Sequence, residues 1–318
     1  MTATFGVVMP LFEAAEYVRE AVAAIAAADG IDRLEQVIVV DDASTDDGGA
    51  RARQALADFG LPGAVLRQPR NLGACAARAR GFALARSPLI ACVDADDLCA
   101  PGRFVDALER LGDPKVQMVG GDLVMFPDPR HPPAHAALPF SSDHRIRMPT
   151  RGEEIAASLV FHCPVYASTS TFRRAALEAI ILPDVRLGED WLLVHRIVQA
   201  FGVQAVANTG SVLMRYRRHA GQLTGNAFLD NSGVLGVWRE ILQQALGIDA
   251  SAAELELHAK FSPPSGIPKA SAAEFERWRA WSARLRAAAV ARNYVPESLA
   301  RHLDAIEHAI APDAMARN

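Results

Sequence analysis

The sequence is poor in cysteine and contains no apolar run of the roughly 18–20 residues that a helix needs to cross a bilayer. Its four cysteines form no Cys-x-x-Cys pair and no disulfide-framework pattern, which favours a reducing compartment. Residues 1–12 lack the basic and apolar regions of a signal peptide. The net charge of −4 does not favour binding to nucleic acid. These absences predict a cytoplasmic protein, whose contact with a membrane, if it has one, is peripheral and at the inner face.

Three common catalytic or phosphate-binding motifs are also missing. There is no Gly-x-x-x-x-Gly-Lys-Ser/Thr segment, which excludes a P-loop enzyme. The first predicted strand ends in "MPLF" (9–12) rather than in a Gly-x-Gly-x-x-Gly turn, so a dinucleotide dehydrogenase is not indicated. A Gly-x-Ser-x-Gly elbow of a hydrolase is absent as well. If this protein binds phosphates, a metal ion rather than a glycine loop has to neutralise them.

Short apolar runs alternate with helical patterns over the first 126 residues. We predict strands at 5–11, 36–42, 64–67, 88–94 and 116–126. Helices are predicted between them, the last one from Pro101 through Leu111. Near-continuous apolar strands separated by helices indicate an α/β fold with a Rossmann-like, mostly parallel sheet flanked by helices. The ligands of such sheets lie beyond the carboxyl ends of the strands.

The rest of the chain differs in composition. Residues 127–150 contain six prolines and three histidines without periodicity, which is typical of a loop. Residues 189–201 show the pattern of an amphipathic helix. From about residue 227 the chain reads as almost wholly helical, with a proline-rich break at 262–268.

Carboxylates crowd the ends of two predicted strands: Asp41 and Asp42 after the second, and Asp94, Asp96 and Asp97 after the fourth. Both clusters should lie at the same edge of a parallel sheet. Two charges about 4 Å apart repel by about 4 kcal/mol at an effective dielectric of 20. Either one carboxyl keeps its proton, or a hard divalent cation lies among them and bridges to a substrate's phosphates. The simpler alternative is that these aspartates only cap turns and helices.

These clusters belong to a series of segments that runs through most of 4–220. The series comprises "VVMPLFEAAEYVREAV", "VIVVDDASTDD", "RNLGACAARARGFALA", "VDADD", "LGEDWLLVHRIVQAFG" and "YRRHAGQLT". In this order, the segments resemble the motifs of family 2 glycosyltransferases, which have the GT-A fold and use a nucleotide sugar. Three positions depart from the family pattern: Glu13 and Ala79 replace asparagine, and Ala43 replaces glycine.

The resemblance implies a catalytic domain over 1–225, with a nucleotide-binding half (1–126) and an acceptor-side half (151–225). Residues 226–318, predicted to be a helical C-terminal extension, lie outside the resemblance. In the first half, Asp42 is expected to accept a hydrogen bond from the base, usually uracil, and Pro10 and Phe12 to line its pocket. Arg78 is expected near the diphosphate and Asp94 near the ribose.

The resemblance also implies a divalent cofactor, Mn²⁺ or Mg²⁺. Asp96 is expected to be the direct metal ligand and His219 the second protein ligand. The alternative for His219 is a surface histidine on the basic turn "RYRRH". Asp97 is expected to support the site from behind or to cap a helix.

The remaining motif places a Glu-Asp pair at the start of the predicted helix 189–201. By the resemblance, Asp190 is the general base that takes the proton of the acceptor hydroxyl, and Glu189 orients the acceptor or the base. The alternative is that both residues only complement the helix dipole. Trp191 either stacks on a sugar or packs in the core, and His195 is expected to be packed.

The acceptor side is less informative. The run Ser168-Thr169-Ser170-Thr171 either hydrogen-bonds sugar hydroxyls or simply alternates on a strand. Beyond 227, an apolar stripe is flanked by arginines: Trp278, Trp281 and Leu285, with Arg277, Arg279, Arg284, Arg286 and Arg292. This helix either binds an anionic membrane surface or packs on the catalytic domain or in a homodimer, and packing is the favoured interpretation.

Three functions remain in competition. The preferred one is an inverting glycosyltransferase that moves a sugar from a nucleotide sugar, with UDP as the expected nucleotide, to a hydroxyl of a glycan, a lipid-linked molecule or a small molecule. A sugar nucleotidyltransferase would also use a metal and a Rossmann-like sheet, but it typically has a Gly-rich basic loop after strand one, which is absent here. The third is a catalytically inactive protein that binds nucleotide sugars or glycans.

Overall fold

The structure is a computed structural model, and it describes residues 3–132, 144–222, 234–262 and 268–312. The strands are β1 (Phe5–Leu11), β2 (Leu34–Asp41), β3 (Gly63–Arg67), β4 (Leu89–Cys92), β5 (Leu98–Cys99), β6 (Met118–Pro127), β7 (His144–Ile146), β8 (Thr171–Arg173) and β9 (Val206–Arg218). The α-helices are α1 (Val18–Ala26), α2 (Gly48–Asp58), α3 (Ala74–Leu84), α4 (Val105–Arg110), α5 (Gly152–Ser158), α6 (Arg174–Glu178), α7 (Glu189–Phe201), α8 (Leu235–Leu246), α9 (Ala252–Lys260), α10 (Ala272–Arg292) and α11 (Pro296–Ile310).

The strands within these ranges form one sheet in the order β3-β2-β1-β4-β8-β6-β9-β5, with β7 paired to β6. β1, β2, β3 and β4 run parallel to one another. β8 is antiparallel to both β4 and β6, and it joins the first half of the chain to the second. β6 and β9 are again parallel. The mostly parallel α/β sheet that the sequence predicts is therefore confirmed, and its carboxyl edge collects the segments that follow β1, β2 and β4.

Alternating side chains of the central strands feed two hydrophobic cores, one on each face of the sheet. On β1, Val7 and Met9 belong to the core that also contains residues of α1, α2 and α4. Val8 faces the opposite way, into a core with residues of α5 and α7. All three side chains are fully buried. Because both faces are covered, the strands read as continuous apolar runs in the sequence.

The C-terminal helices share the second core with the rest of the chain. The ring of Trp238 in α8 packs edge-on against Trp191 in α7, with 5.3 Å between the ring centroids. The Tyr294 hydroxyl donates to the Ala156 carbonyl oxygen of α5 over 2.9 Å. α9 and α10 each begin with a serine and glutamate capping box, which fixes where these helices start. The predicted helical extension is thus packed directly on the element that begins with Glu189 and Asp190.

Some predicted boundaries differ from the structure. The fourth strand ends at Cys92 rather than at Asp94, since the chain turns immediately after it. The helix predicted from Pro101 begins only at Val105, because residues 101–104 form a turn. Of the predicted loop, 144–146 form β7, and 133–143 lie outside the described residues, as does most of the proline-rich break, 263–267. No helix among the described residues is long and apolar enough to cross a bilayer.

Candidate active site

The segment that follows β4 folds into a tight turn carrying Asp94, Asp96 and Asp97. The Asp97 amide donates to the Asp94 carbonyl oxygen over 3.3 Å, which closes the turn. The three side chains point into different surroundings. Asp96 keeps 29% of its side chain exposed, Asp94 keeps 22%, and Asp97 is fully buried. Only Asp94 and Asp96 are therefore accessible to a ligand.

A different partner holds each of these carboxylates. Arg78 of α3 donates to Asp94 Oδ1 over 2.7 Å. The His219 Nε2 atom, at the end of β9, lies 3.1 Å from Asp96 Oδ2. Asp97 Oδ1 accepts from the backbone amide of Arg217 over 2.9 Å. The crowding is thus offset by groups from two elements that are distant in the chain.

The surroundings shift the protonation of two of the carboxyls. Burial raises the pKa of Asp94, and the charge of Asp96 adds to this, although Arg78 opposes it. Burial, with the charges of Asp96 and Asp94, holds the pKa of Asp97 well above its usual range. The buried Asp97 side chain ties the turn to β9 through the backbone amide of Arg217.

Arg78 connects this turn to the start of α7. One terminal nitrogen of its guanidinium donates to Asp94 and the other donates to Glu189 Oε1. Burial lowers the pKa of Arg78, but the charges of Asp94 and Glu189 outweigh it, so this pKa lies well above its usual value. Two residues that are 111 positions apart in the sequence are thus joined by one ion pair.

Asp190 lies at the first turn of α7, after Gly188, whose φ of 77° is in the left-handed region that favours glycine. A Cβ atom at Gly188 would come within 2.9 Å of the Val237 side chain of α8, so the turn that carries Asp190 is packed closely on the C-terminal helices. Burial, followed by the charge of Glu189, raises the pKa of Asp190 to about 7, and Arg78 opposes this shift. A carboxyl with a pKa near neutrality can exchange a proton at physiological pH.

The two carboxylates at the end of β2, Asp41 and Asp42, have their own partners, which differ from those of the aspartate turn. Asp42 Oδ1 accepts from Gln68 and from the Leu72 amide over 2.7 and 2.8 Å, and Oδ2 accepts from the Gly73 amide over 2.7 Å. Asp41 pairs with Arg67 over 2.7 Å. Asp42 is 2% exposed, and its Oδ2 atom has one donor.

Two of the predicted base-pocket residues lie on the adjoining strand. Pro10 is partly buried in β1 and pairs in register with Val40. Phe12, directly after β1, is 49% exposed. An exposed aromatic ring beside a buried carboxylate can take the flat face of a base.

The metal predicted at Asp96 and His219 would have few protein ligands. In the described part of the chain, no group of three or more His, Cys, Asp or Glu side chains is arranged to hold a metal ion. Asp96 and His219 nevertheless converge, and the carboxylate oxygen of Asp96 is of the ligand type that suits both Mn²⁺ and Mg²⁺. The residues thus fit an ion that takes its remaining ligands from substrate oxygens and water.

Several residues that shape the site carry no signal in the sequence. Arg103 is fully buried and donates to the Cys92 and Ser170 carbonyl oxygens over 2.9 and 2.8 Å, which fixes the end of β4. The Tyr17 ring lies 4.7 Å from the His219 ring between their centroids. The Arg217 side chain donates to Glu20 of α1 over 2.6 Å. Arg103 looks like a surface charge in the sequence, and the other contacts join residues about 200 positions apart.

The predicted acceptor-side polar run is buried. Ser168, Thr169, Ser170 and Thr171 are each at most 2% exposed. The hydroxyls of Thr169 and Ser170 donate to backbone carbonyl oxygens of the same turn, and Thr171 Oγ1 accepts from Arg103. These hydroxyls hold the chain entering β8, so the structure favours the interpretation of a local structural role.

Two residues of α7 belong to the core. Trp191 is 5% exposed, and its Nε1 atom donates to the Leu159 carbonyl oxygen over 2.9 Å. His195 is fully buried, with Nε2 lying 3.1 Å from Gln244 Oε1. The prediction that His195 is packed is confirmed, and Trp191 follows the core alternative.

The apolar stripe of α10 is also buried, since Trp278, Trp281 and Leu285 are at most 3% exposed. Arg284 pairs with Glu254 of α9, and Arg286 pairs with Asp304 of α11. This stripe is therefore covered by the protein itself, which favours the packed interpretation over an apolar face that inserts into a membrane.

Comparisons with known proteins identify the family of this chain. The sequence model described as "Glycosyl transferase family 2" matches residues 6–181, more than half of the chain. The chain is 40% identical to the succinoglycan biosynthesis protein ExoU of Rhizobium meliloti (strain 1021) over 89 residues. This aligned segment makes up 28% of this chain and 26% of that protein. The chain thus aligns with about a quarter of this relative.

Three solved structures show the same fold at low identity. S. aureus TarS in complex with UDP-GlcNAc superimposes with a TM-score of 0.58 and 17% identity over 96% of this chain and 90% of that one. The mannosyltransferase PcManGT from Pyrobaculum calidifontis, in complex with GDP-Man and Mn²⁺, superimposes with a TM-score of 0.60 and 18% identity over 97% of this chain and 86% of that one. Glucosyl-3-phosphoglycerate synthase from Mycobacterium tuberculosis, in complex with Mn²⁺, UDP and glucosyl-3-phosphoglycerate, superimposes with a TM-score of 0.52 and 18% identity over 78% of this chain and 82% of that one. With its GT-A fold and its family match, this chain belongs to glycosyl transferase family 2.

Proposed function

We propose that this glycosyltransferase is an inverting enzyme that moves a sugar from a nucleoside diphosphate sugar, most simply a UDP-sugar, to a hydroxyl group of an acceptor. One observation carries the proposal: the Arg78 guanidinium joins Asp94 of the aspartate turn to Glu189, the neighbour of Asp190. A donor-side carboxylate and a carboxyl with a pKa of about 7 therefore border one cleft.

The donor is proposed to lie across the carboxyl ends of β1, β2 and β4. Asp42 Oδ2 has capacity for a donor from the base in addition to the Gly73 amide, and the exposed Phe12 ring offers a face for stacking beside Pro10. Asp94 accepts from the ribose, and Arg78 supplies positive charge toward the diphosphate.

Asp190 is the proposed general base. Its Oδ atom takes the proton of the acceptor hydroxyl as the hydroxyl oxygen bonds to the anomeric carbon, while the bond from that carbon to the diphosphate oxygen breaks. Burial, followed by the charge of Glu189, keeps the pKa of Asp190 high enough for this exchange, and the charge of Arg78 keeps it from rising further.

Asp96 and His219 are the proposed holders of Mn²⁺ or Mg²⁺. When bound there, the ion supplies Lewis-acid stabilisation of the departing diphosphate. Asp97 and the Arg217 amide hold the turn in place, because the Asp97 carboxylate is buried and bonded to β9.

We further propose that residues 1–225 form the catalytic domain, with 1–126 binding the nucleotide and 151–225 facing the acceptor, and that 226–318 buttress it. The buttress acts on the base, because Val237 and Trp238 of α8 pack against the beginning of α7. A role in the assembly of a polysaccharide is supported by the partial match to ExoU. The acceptor is then a glycan or a lipid-linked glycan.

The test is nucleoside diphosphate release from UDP-sugars with and without Mn²⁺. The proposal expects UDP to be released by the wild-type chain and not by Asp190→Asn, while that variant still binds the donor. Release or consumption of pyrophosphate would identify a sugar nucleotidyltransferase instead. Donor binding without any release by the wild-type chain, in the presence of acceptor glycans, would identify an inactive binding protein.

A further inference from the structure

The ring of Tyr17, directly before α1, packs against the imidazole of His219 at the end of β9. The ring centroids are 4.7 Å apart, and the ring planes are inclined by 40°. Tyr17 is 5% exposed and His219 is 8% exposed, so both rings lie inside the protein. The Nε2 atom of the same imidazole lies 3.1 Å from Asp96 Oδ2. Tyr17 therefore contacts one of the two residues that are proposed to hold the metal.

The orientation of the His219 imidazole is not fixed by a second hydrogen bond to the described part of the protein. A metal-binding histidine usually donates the N–H of its other ring nitrogen to a carboxylate, a carbonyl or a water, which sets the orientation of the ring. Within the described ranges, the hydrogen bonding of the His219 side chain involves Nε2 and not Nδ1. The contact with the Tyr17 ring can fix the plane of the imidazole in place of such a bond.

The Tyr17 ring is itself held by two cations. The guanidinium carbons of Arg130 and Arg217 each lie 5.1 Å from its centroid, and a cation over an aromatic face is attracted to it. Arg130 Nε donates to the fully buried Asp128 over 3.1 Å. Arg217 Nε donates to the Asp96 carbonyl oxygen over 2.9 Å. The ring is thus a fixed surface between α1 and the aspartate turn.

Tyr17 can act on the metal site through the face of its ring rather than through its oxygen. Burial, followed by the neighbouring Asp128 carboxylate, raises the pKa of Tyr17 to about 12, so the hydroxyl keeps its proton at physiological pH. Hard cations are held in proteins mainly by carboxylate and carbonyl oxygens and by water. A neutral phenol is therefore not an expected ligand of the ion.

We infer that Tyr17 is a positioning residue of the metal site, whose ring holds the imidazole of His219 in the orientation that points Nε2 at Asp96. Without the ring, the imidazole adopts other rotamers, and the two metal-holding side chains converge for only part of the time. Metal-dependent donor binding then weakens, whereas the proposed contacts of the base with Asp42 and Phe12 persist. This inference rests on the proposed function, because it concerns the proposed Mn²⁺ or Mg²⁺ site.

The test compares the affinity of the full chain for UDP with and without Mn²⁺, measured by calorimetry. In Tyr17→Leu, the gain in UDP affinity due to Mn²⁺ should fall by about tenfold or vanish, as is typical when a partner of a metal-bound histidine is removed, and metal-free UDP affinity should stay unchanged. Tyr17→Phe keeps the ring face and should keep the gain. Tyr17→Met fills a similar space without a flat face and should behave as Tyr17→Leu does, so the test remains decisive if the leucine variant does not fold. Tyr294→Leu, which removes a tyrosine between α10 and α11, is the matched control and should keep the gain.

A double variant separates this role from a general structural one. In the His219→Ala background, Tyr17→Leu should reduce the Mn²⁺-dependent gain no further, since the ring that it positions is gone. A second reduction of the same size would show that Tyr17 acts elsewhere, for example through Arg217, and would overturn the inference. An unchanged gain in Tyr17→Leu, or an equal loss of UDP affinity with and without metal, would also overturn it while the proposed function stands. If the wild-type chain binds UDP equally well with and without Mn²⁺, the proposed metal site fails and the inference fails with it.

Discussion

Replacement of Asp190 by asparagine should remove transfer activity and at the same time make the protein more stable above neutral pH. The pKa of Asp190 is raised from its usual 3.8 to about 7, so the folded state holds this proton more tightly than the unfolded chain does. A raised carboxyl pKa contributes stability below pH 4 that is lost as the pH rises through about 7. Three pKa units correspond to about 4 kcal/mol, and partial exposure of the side chain reduces this to about 2–4 kcal/mol.

Urea denaturation at several pH values measures this directly. Near pH 8, Asp190→Asn should be more stable than the wild-type protein by about 2–4 kcal/mol, and the difference should vanish near pH 4, where the wild-type carboxyl is also neutral. Asparagine keeps the Oδ1 atom that accepts from the Trp191 amide, so the helix start is preserved. Asp184→Asn, at an exposed position just before α7, is the matched control and should show no such pH-dependent gain. Equal or lower stability of Asp190→Asn near pH 8 would refute the claim that the folded protein raises the pKa of this carboxyl.

Three further changes test separate parts of the account. Asp96→Asn should weaken Mn²⁺-dependent donor binding by about tenfold or more, because charged oxygen ligands dominate the binding of hard cations. Binding of UDP without metal, measured by calorimetry, should stay unchanged. If the variant and the wild-type protein showed the same dependence of donor binding on Mn²⁺, Asp96 would not be a metal ligand. Ala43→Gly should raise the free energy of unfolding by about 1 kcal/mol, because Ala43 has φ of 62°, and urea denaturation that shows no gain would contradict the assigned strain. His258→Gln should make the stability of the fold less sensitive to acid. Burial lowers the pKa of His258 to about 4, whereas the unfolded chain takes up this proton near pH 6.5. The stability of the wild-type protein therefore falls as the pH drops from 6.5 toward 4. Between pH 7 and 5 the variant should lose about 2 kcal/mol less than the wild-type protein in urea titrations, and an identical loss would place the acid sensitivity elsewhere.

The fold was predictable because its signals are local. Apolar runs such as 36–42 predict buried strands, and the aspartates that end or follow them indicate the edge of the sheet where ligands bind. The amphipathic pattern of 189–201 gave α7 with both ends as observed. In each case the deciding interactions lie within one element or between neighbouring elements.

The pairings inside the site were not predictable, since they depend on how distant elements pack. The expectation that five carboxylates converge was only partly right: Asp94, Asp96 and Asp97 influence one another, whereas Asp41 is neutralised by Arg67. Nothing in the sequence indicates that Arg78 bridges the donor and base sides. Such contacts join residues about 100 positions apart, and a single charged residue looks the same whether it ends in solvent or in an ion pair.

The C-terminal helices illustrate the same limit. Tryptophans at helical spacing among arginines are compatible with a membrane surface and with a core, and only the packing partner decides between them. Here the partner includes His258, which accepts from Trp281 Nε1 over 3.0 Å and contacts the Val160 carbonyl oxygen through Nε2 over 2.7 Å. The Trp281 bond leaves Nδ1 as the acceptor, so the proton is on Nε2 and donates to Val160.

The most direct test of the central claim is the release of UDP from a UDP-sugar by the wild-type chain and by Asp190→Asn, each with and without Mn²⁺. We predict that the wild-type protein releases UDP only when the metal is present. We predict no release by the variant, although the variant binds the donor with Mn²⁺ as tightly as the wild type does. Normal UDP release by Asp190→Asn, or metal-independent release by the wild-type chain, would contradict the assignment of the base and of the metal-dependent donor site.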